Sequence, residues 1–252
     1  MPKMRLDKLL SHLNCGSRKE VQSFIRAGRV AVNGTAERDP AAKVDPDADR
    51  VSLDGREQTY RAQRYYMLNK PAGVITASRD ERHGTVLELF PESLRRGLFA
   101  VGRLDKDTEG LLLLTNDGQL AHRLLSPKSH VDKVYYARVD GALEPGDIAA
   151  FAAGMTLGDG LECLPAGLEI LSPTEALVTL REGKFHQVKR MLAARGKPVL
   201  YLKRLSMGRL RLDPALAPGA WRMLTEEERS ALNLSLSETL LDRTTKNEER
   251  IL

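Results

Sequence analysis

The chain has 252 residues, of which 42% are hydrophobic and 29% charged, and a formal net charge of +5 at pH 7. That length admits two domains, the larger with a core of its own, and that balance excludes a disordered or fibrous chain. No apolar run approaches the ~20 residues of a membrane helix; a run such as Leu111 to Leu114 is only a strand's worth.

The N-terminus turns directly into an amphipathic pattern, without the apolar region of a signal peptide. Leu6, Leu9, Leu10 and Leu13 recur at helical spacing, and Asn14-Cys15-Gly16 stops that helix. Ser17-Arg18-Lys19-Glu20 has capping-box spacing. It predicts a second helix with Val21, Phe24 and Ile25 on its apolar face and Gly28 at its end. Val30 and Val32 alternate toward Asn33-Gly34, a hairpin dipeptide. A polar loop from Asp45 returns through Val51 and Leu53 to a second turn at Asp54-Gly55. The first segment therefore reads helix, helix, hairpin. Arg56 to Arg64 is polar and aperiodic and is expected to link two domains.

Tyr65 to Leu68 reads as a strand running into the tight turn Asn69-Lys70-Pro71-Ala72-Gly73. Leu98 to Leu104 and Leu111 to Thr115 are strand-like, and Asn116-Asp117-Gly118 leads into a short helix, Leu120 to Leu125. Val134 to Val139 and Ala176 to Leu180 are further strands, and Val188 to Ala194 is a short basic helix. Strands outnumber helices without regular βαβ alternation. The expected fold class is α+β: a small helix-helix-hairpin domain over residues 1–60, then a larger domain over 61–225 with a mixed, mainly antiparallel sheet flanked by helices. Residues 226–252 form a C-terminal tail to which the sequence assigns no role.

Positive charge is concentrated in two places. Residues 1–34 carry seven Lys and Arg against two acids, a local +5, and residues 179–211 carry ten against Glu182 alone, a local +9. Such blocks suit a polyanion gripped at two places, and they equally suit solvated helix faces; charge alone leaves both open. Cys15 and Cys163 lie far apart with no Cys or His companion at ligand spacing. Neither a zinc site nor a disulfide framework is expected, and the compartment expected is a reducing cytoplasm.

Val101 to Gly110 sets carboxylates beside bases in a glycine-bounded loop between two apolar strands. Functional groups concentrate on such loops, yet a charged surface hairpin has the same composition, and Asp105, Asp107, Glu109 and Asp117 compete for any catalytic role. The wording of the segment decides between them. Gly102-Arg103-Leu104-Asp105, Thr108 and Gly110 through Gly118 resemble the central motif of bacterial ribosomal RNA pseudouridine synthases. The branch resembled acts on the small subunit and on single sites of the large one. Tyr66 to Gly73 resembles that family's opening motif, Lys133-Val134-Tyr135 its Lys-x-Tyr strand, and Glu182 to Met191 its closing motif, all in the right order. Arg5 to Leu10, Ser17-Arg18, Gly28 and Val32-Asn33-Gly34 resemble the small RNA-binding module found in a ribosomal protein and many RNA-modifying enzymes.

The resemblance implies an isomerase that converts a uridine of ribosomal RNA, most closely 16S, to pseudouridine without cofactor or metal. The same reaction on 23S rRNA and a non-catalytic assembly factor are the alternatives. It assigns the catalytic carboxylate to Asp105, which either attacks the anomeric carbon or removes the proton at carbon 2′. Tyr135 packs against the base, and Lys184 is the expected cation beside Asp105. Arg103 occupies the space left by the extruded nucleotide, and His186 and Gln187 position RNA. Lys189 and Arg190 take phosphates, unless they exchange that role with Lys184. In the N-terminal module Arg5, Lys8, Arg18, Lys19 and Arg29 are the expected phosphate contacts. Asp107 and Asp117 are expected to be turn residues. The partner is ribosomal RNA or an assembly intermediate containing it, with no membrane, and the protein is expected to be a monomer.

Overall fold

Leu6, Leu9 and Leu10 from α1 (Leu6–His12) and Val21 and Ile25 from α2 (Arg18–Arg26) pack with Val30, Val44 and Val51 into one small core. The predicted capping box forms: the Ser17 hydroxyl accepts from Glu20 N, and the Glu20 carboxylate accepts from Ser17 N at 2.8 Å. Four short strands follow, β1 (Val30–Val32), β2 (Thr35–Glu37), β3 (Val51–Leu53) and β4 (Arg56–Gln58), in the antiparallel order β2-β1-β3-β4. Both turn dipeptides adopt left-handed backbone, Asn33 at φ 51 with Gly34 at φ 83 and Asp54 at φ 51 with Gly55 at φ 72. This twist lets a two-residue loop join two strands. Strand β4 corrects the expectation of a linker from Arg56. The tight Asp54-Gly55 turn brings Gln58 opposite Val51, and an exposed edge strand needs no apolar period to make its ladder bonds.

The computed structural model describes residues 3–13, 15–46, 48–58, 63–126 and 129–232, and the chain divides into two units, residues 1–63 and 64–252. The second unit is built on β5 (Tyr65–Lys70), β6 (Phe99–Val101), β7 (Glu109–Thr115), β8 (Lys133–Val139), β9 (Gly167–Ser172), β10 (Glu175–Leu180), β11 (Val199–Met207) and β12 (Trp221–Met223). Their order is β9-β10-β8-β11-β7-β5-β12, with β6 paired to the far end of β7. Every pairing is antiparallel except β11 with β7, so the sheet is mixed and mainly antiparallel as expected.

Strand β5 is buried at all six positions and β7 at six of seven, because helices cover both faces of the sheet. On one face Phe151 of α4 (Pro145–Ala153) and Val188, Met191 and Leu192 of α5 (Gln187–Ala194) join Tyr135, Leu180 and Leu202. On the other, Leu120, Ala121 and Leu124 of α3 (Gly118–Leu125) join Met67, Leu113 and Met207. The parallel junction aligns Arg204 with Gly110, and a Cβ at Gly110 would lie 2.3 Å from Arg204 O. Glycine at φ +100 is therefore what lets β11 close on β7. The expected strand Leu98 to Leu104 is shorter than its apolar run, because Gly102 at φ 79 turns the chain away after Val101. Of the C-terminal tail, residues 226–232 are helical and Leu232 is buried with Leu224 on the α3 face; the remainder lies outside the described residues. No helix among the described residues is long and apolar enough to cross a membrane.

Candidate active site

Asp105 stands in the loop 102–108 between β6 and β7. Thr108 N donates to Asp105 O at 3.1 Å, closing a turn. The segment that leaves β5 ties this loop down. Lys70 Nζ donates to the carbonyls of Pro71, Lys106 and Thr108 at 3.0, 3.2 and 2.9 Å. Gly73 N donates to Lys106 O at 2.8 Å. The Thr76 hydroxyl donates to Leu104 O at 2.9 Å and accepts from Leu104 N at 3.1 Å. Lys70 is fully buried, and burial lowers its pKa to about 8 against the pull of Asp107, Asp105 and Glu109. An ammonium satisfied by three carbonyls holds the backbone around Asp105 in one geometry, the support a reacting group needs.

A cleft opens at this loop, lined by Arg103, Asp105, Thr108, Tyr135, Lys184 and His186, with Leu180 and Leu202 as apolar walls. Tyr135 is buried on β8. Strand alternation sends its neighbour the other way: the Tyr136 hydroxyl donates to Glu175 and its ring meets Tyr201 edge-on at 6.0 Å. Arg103 is exposed at the cleft.

The cation beside Asp105 is Lys189, not Lys184. Lys189 Nζ lies 3.2 Å from Asp105 Oδ2, and His186 Nε2 lies 3.5 Å from Oδ1. Lys189 also binds Asp107 and holds that carboxyl below the ordinary carboxylate range, so Asp107 is more than a turn residue. Lys184 instead lies 3.3 Å from Glu182 Oε2 and donates to Glu162 O. The backbone explains the exchange. His186 takes a left-handed conformation (φ 50, ψ 31) as the residue before α5, so the helix begins at Gln187 and Lys189 falls in its first turn. Lys184 stays in the preceding loop, two residues from a carboxylate of its own.

Other expected contacts divide in the same way. Gln187, expected on RNA, is buried; its amide donates to Glu182 Oε1 at 2.6 Å and its carbonyl accepts from Lys184 N at 3.1 Å, bracing the loop. Arg190 pairs with Asp159, in the turn between the short strands Met155–Thr156 and Glu162–Cys163. Asp117 is the N-cap of α3, accepting from Gln119 N and Leu120 N and receiving the Tyr65 hydroxyl. In the first unit Arg5 and Arg18 converge on Asp7 at 3.0 and 3.3 Å, and Arg29 pairs with Asp54 above the Phe24 ring. Lys8 and Lys19 are exposed.

Four residues behind the site carry no role in the sequence reading: Lys70, Thr76, Lys133 and Arg204. Lys133 Nζ donates to Val131 O at 2.9 Å, and burial, reinforced by Arg204, lowers its pKa to about 8. Arg204 Nε donates to Leu111 O at 2.7 Å, and one terminal nitrogen has no partner among the described residues. Lys70 and Lys133 stand inside motif segments, which was a usable signal. Arg204 offered none, since a charge count does not separate a buried base from an exposed one. Among the described residues no group of three or more His, Cys, Asp or Glu is placed to hold a metal.

Comparison with known proteins adds to this geometry. Residues 64–194 match the family described as RNA pseudouridylate synthase, and residues 4–49 match the S4 domain. A Bacillus subtilis protein named as an uncharacterized RNA pseudouridine synthase is 51% identical over 91% of this chain and 98% of its own. Ribosomal small subunit pseudouridine synthase A of Pseudomonas aeruginosa is 48% identical over 89% of this chain and 98% of its own. Its Escherichia coli namesake is 42% identical over the same shares. A crystal structure of a pseudouridylate synthase superposes with a TM-score of 0.67 at 36% identity, covering 91% of this chain and 99% of that one.

Proposed function

The chain belongs to the RNA pseudouridylate synthase family, and on that premise we propose that its substrate is a uridine of 16S ribosomal RNA and that Asp105 is the catalytic carboxylate. The observation that carries the site assignment is the Asp105 carboxylate in a cleft shared with Tyr135, with Lys189 and His186 within 3.5 Å of it. The choice of 16S rests on two relatives named for the small ribosomal subunit, each matched over nearly its whole length.

Isomerisation breaks the bond between ribose carbon 1′ and uracil N1, turns the base, and joins carbon 1′ to carbon 5. The base supplies its own new nucleophile, so the protein has to activate the sugar, retain the uracil and let the carbon 5 proton leave while N1 gains one. Asp105 does this as an anion, by attack on carbon 1′ or by removal of the 2′ proton. A carboxylate losing water to an incoming nucleotide tends toward its neutral acid, and the ammonium of Lys189 opposes that. Deuterium at carbon 2′ separates the two routes, because a primary isotope effect on turnover marks proton removal. Tyr135 offers a ring face to the uracil, and Arg103 takes the space that the extruded nucleotide leaves in its helix. The S4 domain contacts phosphate, so affinity falls as salt rises. The protein acts as a monomer in the cytoplasm.

The test is a map of pseudouridine in ribosomal RNA from cells with and without the protein. A 16S site should vanish without it, return with the wild-type chain, and stay absent with Asp105→Asn although that variant binds RNA within a few-fold of wild type. An unchanged 16S map refutes the substrate; turnover by Asp105→Asn refutes the carboxylate.

A further inference from the structure

Phe185 is the most exposed large apolar side chain among the described residues, at 71%. A single exposed aromatic is ordinary on a protein surface; this one is distinguished by what holds it. It is not loose. Its ring lies flat on the His186 imidazole, with centroids 3.8 Å apart and planes within 16°. His186 is in turn fixed by its left-handed backbone, by the bond from Arg190 N to its carbonyl at 2.9 Å, and by the 3.5 Å approach of Nε2 to Asp105. The result is a two-ring stack with one end at the Asp105 carboxylate and the other facing solvent.

Lys184, Lys189 and Arg190 stand on the same loop and the first turn of α5, each paired with a carboxylate: Glu182, Asp105 with Asp107, and Asp159. The free face of the Phe185 ring, at the outer end of a stack that begins at the cleft carboxylate, fits an unpaired nucleobase, and base-on-aromatic stacking tolerates any base. We infer that the Phe185–His186 pair is a stacking platform for the unpaired nucleotide next to the target uridine. The uridine itself occupies the cleft with Tyr135. The inference rests on the reading of this cleft as the uridine site. It gives the platform a purpose: a neighbour that stacks outside its own helix offsets part of the cost of extruding the target base.

The experiment uses the full chain carrying Asp105→Asn, so that bound RNA is not turned over, and short single-stranded RNAs spanning the mapped uridine. 2-Aminopurine replaces the base on its 5′ or 3′ side. Fluorescence should be quenched on binding at one of the two positions, and the quenching should be lost with Phe185→Ala and kept with Phe185→Tyr. Phe185→Ala should weaken binding about tenfold, the size of one lost stacked base. The slope of affinity against salt should not change, because no phosphate contact is removed. Quenching that persists in Phe185→Ala overturns the proposal. So does a loss of affinity carried wholly by a changed salt slope, or a Phe185→Ala effect confined to self-association in sedimentation, which would make the occupant a protein. Wild-type turnover measured alongside keeps the two readings apart: no pseudouridine formation defeats the uridine site, whereas turnover with wild-type RNA affinity in Phe185→Ala defeats the platform alone.

Discussion

Two charged groups with no solvent access, Asp7 in the first unit and Lys70 in the second, are stabilised in different ways. The Asp7 carboxylate receives Arg5, Arg18 and Gln22, and the first of these does most to hold it far below the ordinary carboxylate range. Lys70 has no carboxylate at ion-pair distance among the described residues and spends its three protons on backbone carbonyls. Lys133 repeats the pattern with Val131 O, and Arg204 with Leu111 O. The first arrangement leaves its arginines 40% and 59% exposed, so they remain able to meet a phosphate. The second fixes backbone and leaves positive charge near Asp105. The buried acid gathers two exposed arginines, whereas buried Lys70 fixes the loop that carries Asp105.

The contrast can be broken at either end. Asp7→Asn removes the anion beneath two guanidiniums; the arginines left behind reach solvent, so the loss is that of charge-assisted hydrogen bonds, about 2 kcal/mol. Amide exchange in α1 and α2 should accelerate accordingly, while exchange in β7 stays as it was. RNA affinity should fall even though an acid has been removed; a rise would show that Asp7 only repels the ligand. Next in size, Lys70→Met removes a charge that burial disfavours but leaves the carbonyls of Pro71, Lys106 and Thr108 without their donor, so the melting temperature should fall by only a few degrees. Turnover should nevertheless drop about 100-fold as the Asp105 loop shifts. Equal losses in stability and turnover would make Lys70 an ordinary core residue.

Acid and alkali should act on the two units in opposite directions. Asp7 has a depressed pKa, so its contribution is complete above the ordinary carboxylate range and is lost as pH falls below about 4. Lys70 and Lys133 titrate near 8 in the fold against an ordinary 10.5. Above about pH 8 the unfolded chain binds protons that these lysines have released, so the second unit gains stability as pH rises toward 10. Beyond that, Tyr65 and Tyr201, the latter pushed up to about 12 by burial, reverse the trend. Urea unfolding at a series of pH values, read by exchange in each unit, checks both arms. At the small end, Arg29→Ala breaks an exposed pair with Asp54 and should leave the melting temperature unchanged, since exposed pairs contribute little.

Much of this molecule could be read from local pattern. The leucine spacing of α1, the Ser17-Glu20 box, the Asn33-Gly34 and Asp54-Gly55 turns and the buried run of β7 depend on neighbours in the chain, and each is where its residues predict. Motif order likewise brought Asp105 and Tyr135 forward together, and they share one cleft. The errors share a cause. Lys184 and Lys189 are both lysines of one basic segment, and Gln187 lies between them; nothing in their order says which reaches Asp105, which meets Glu182 and which is buried. That was decided by a left-handed residue at His186 that sets the start of α5, and by a sheet that brings β11 beside β7 through Gly110. Helix caps and hairpin turns are short-range and leave a trace in residue type. The partner of a charge is chosen by distance and solvent access across the fold, and only the folded chain sets those.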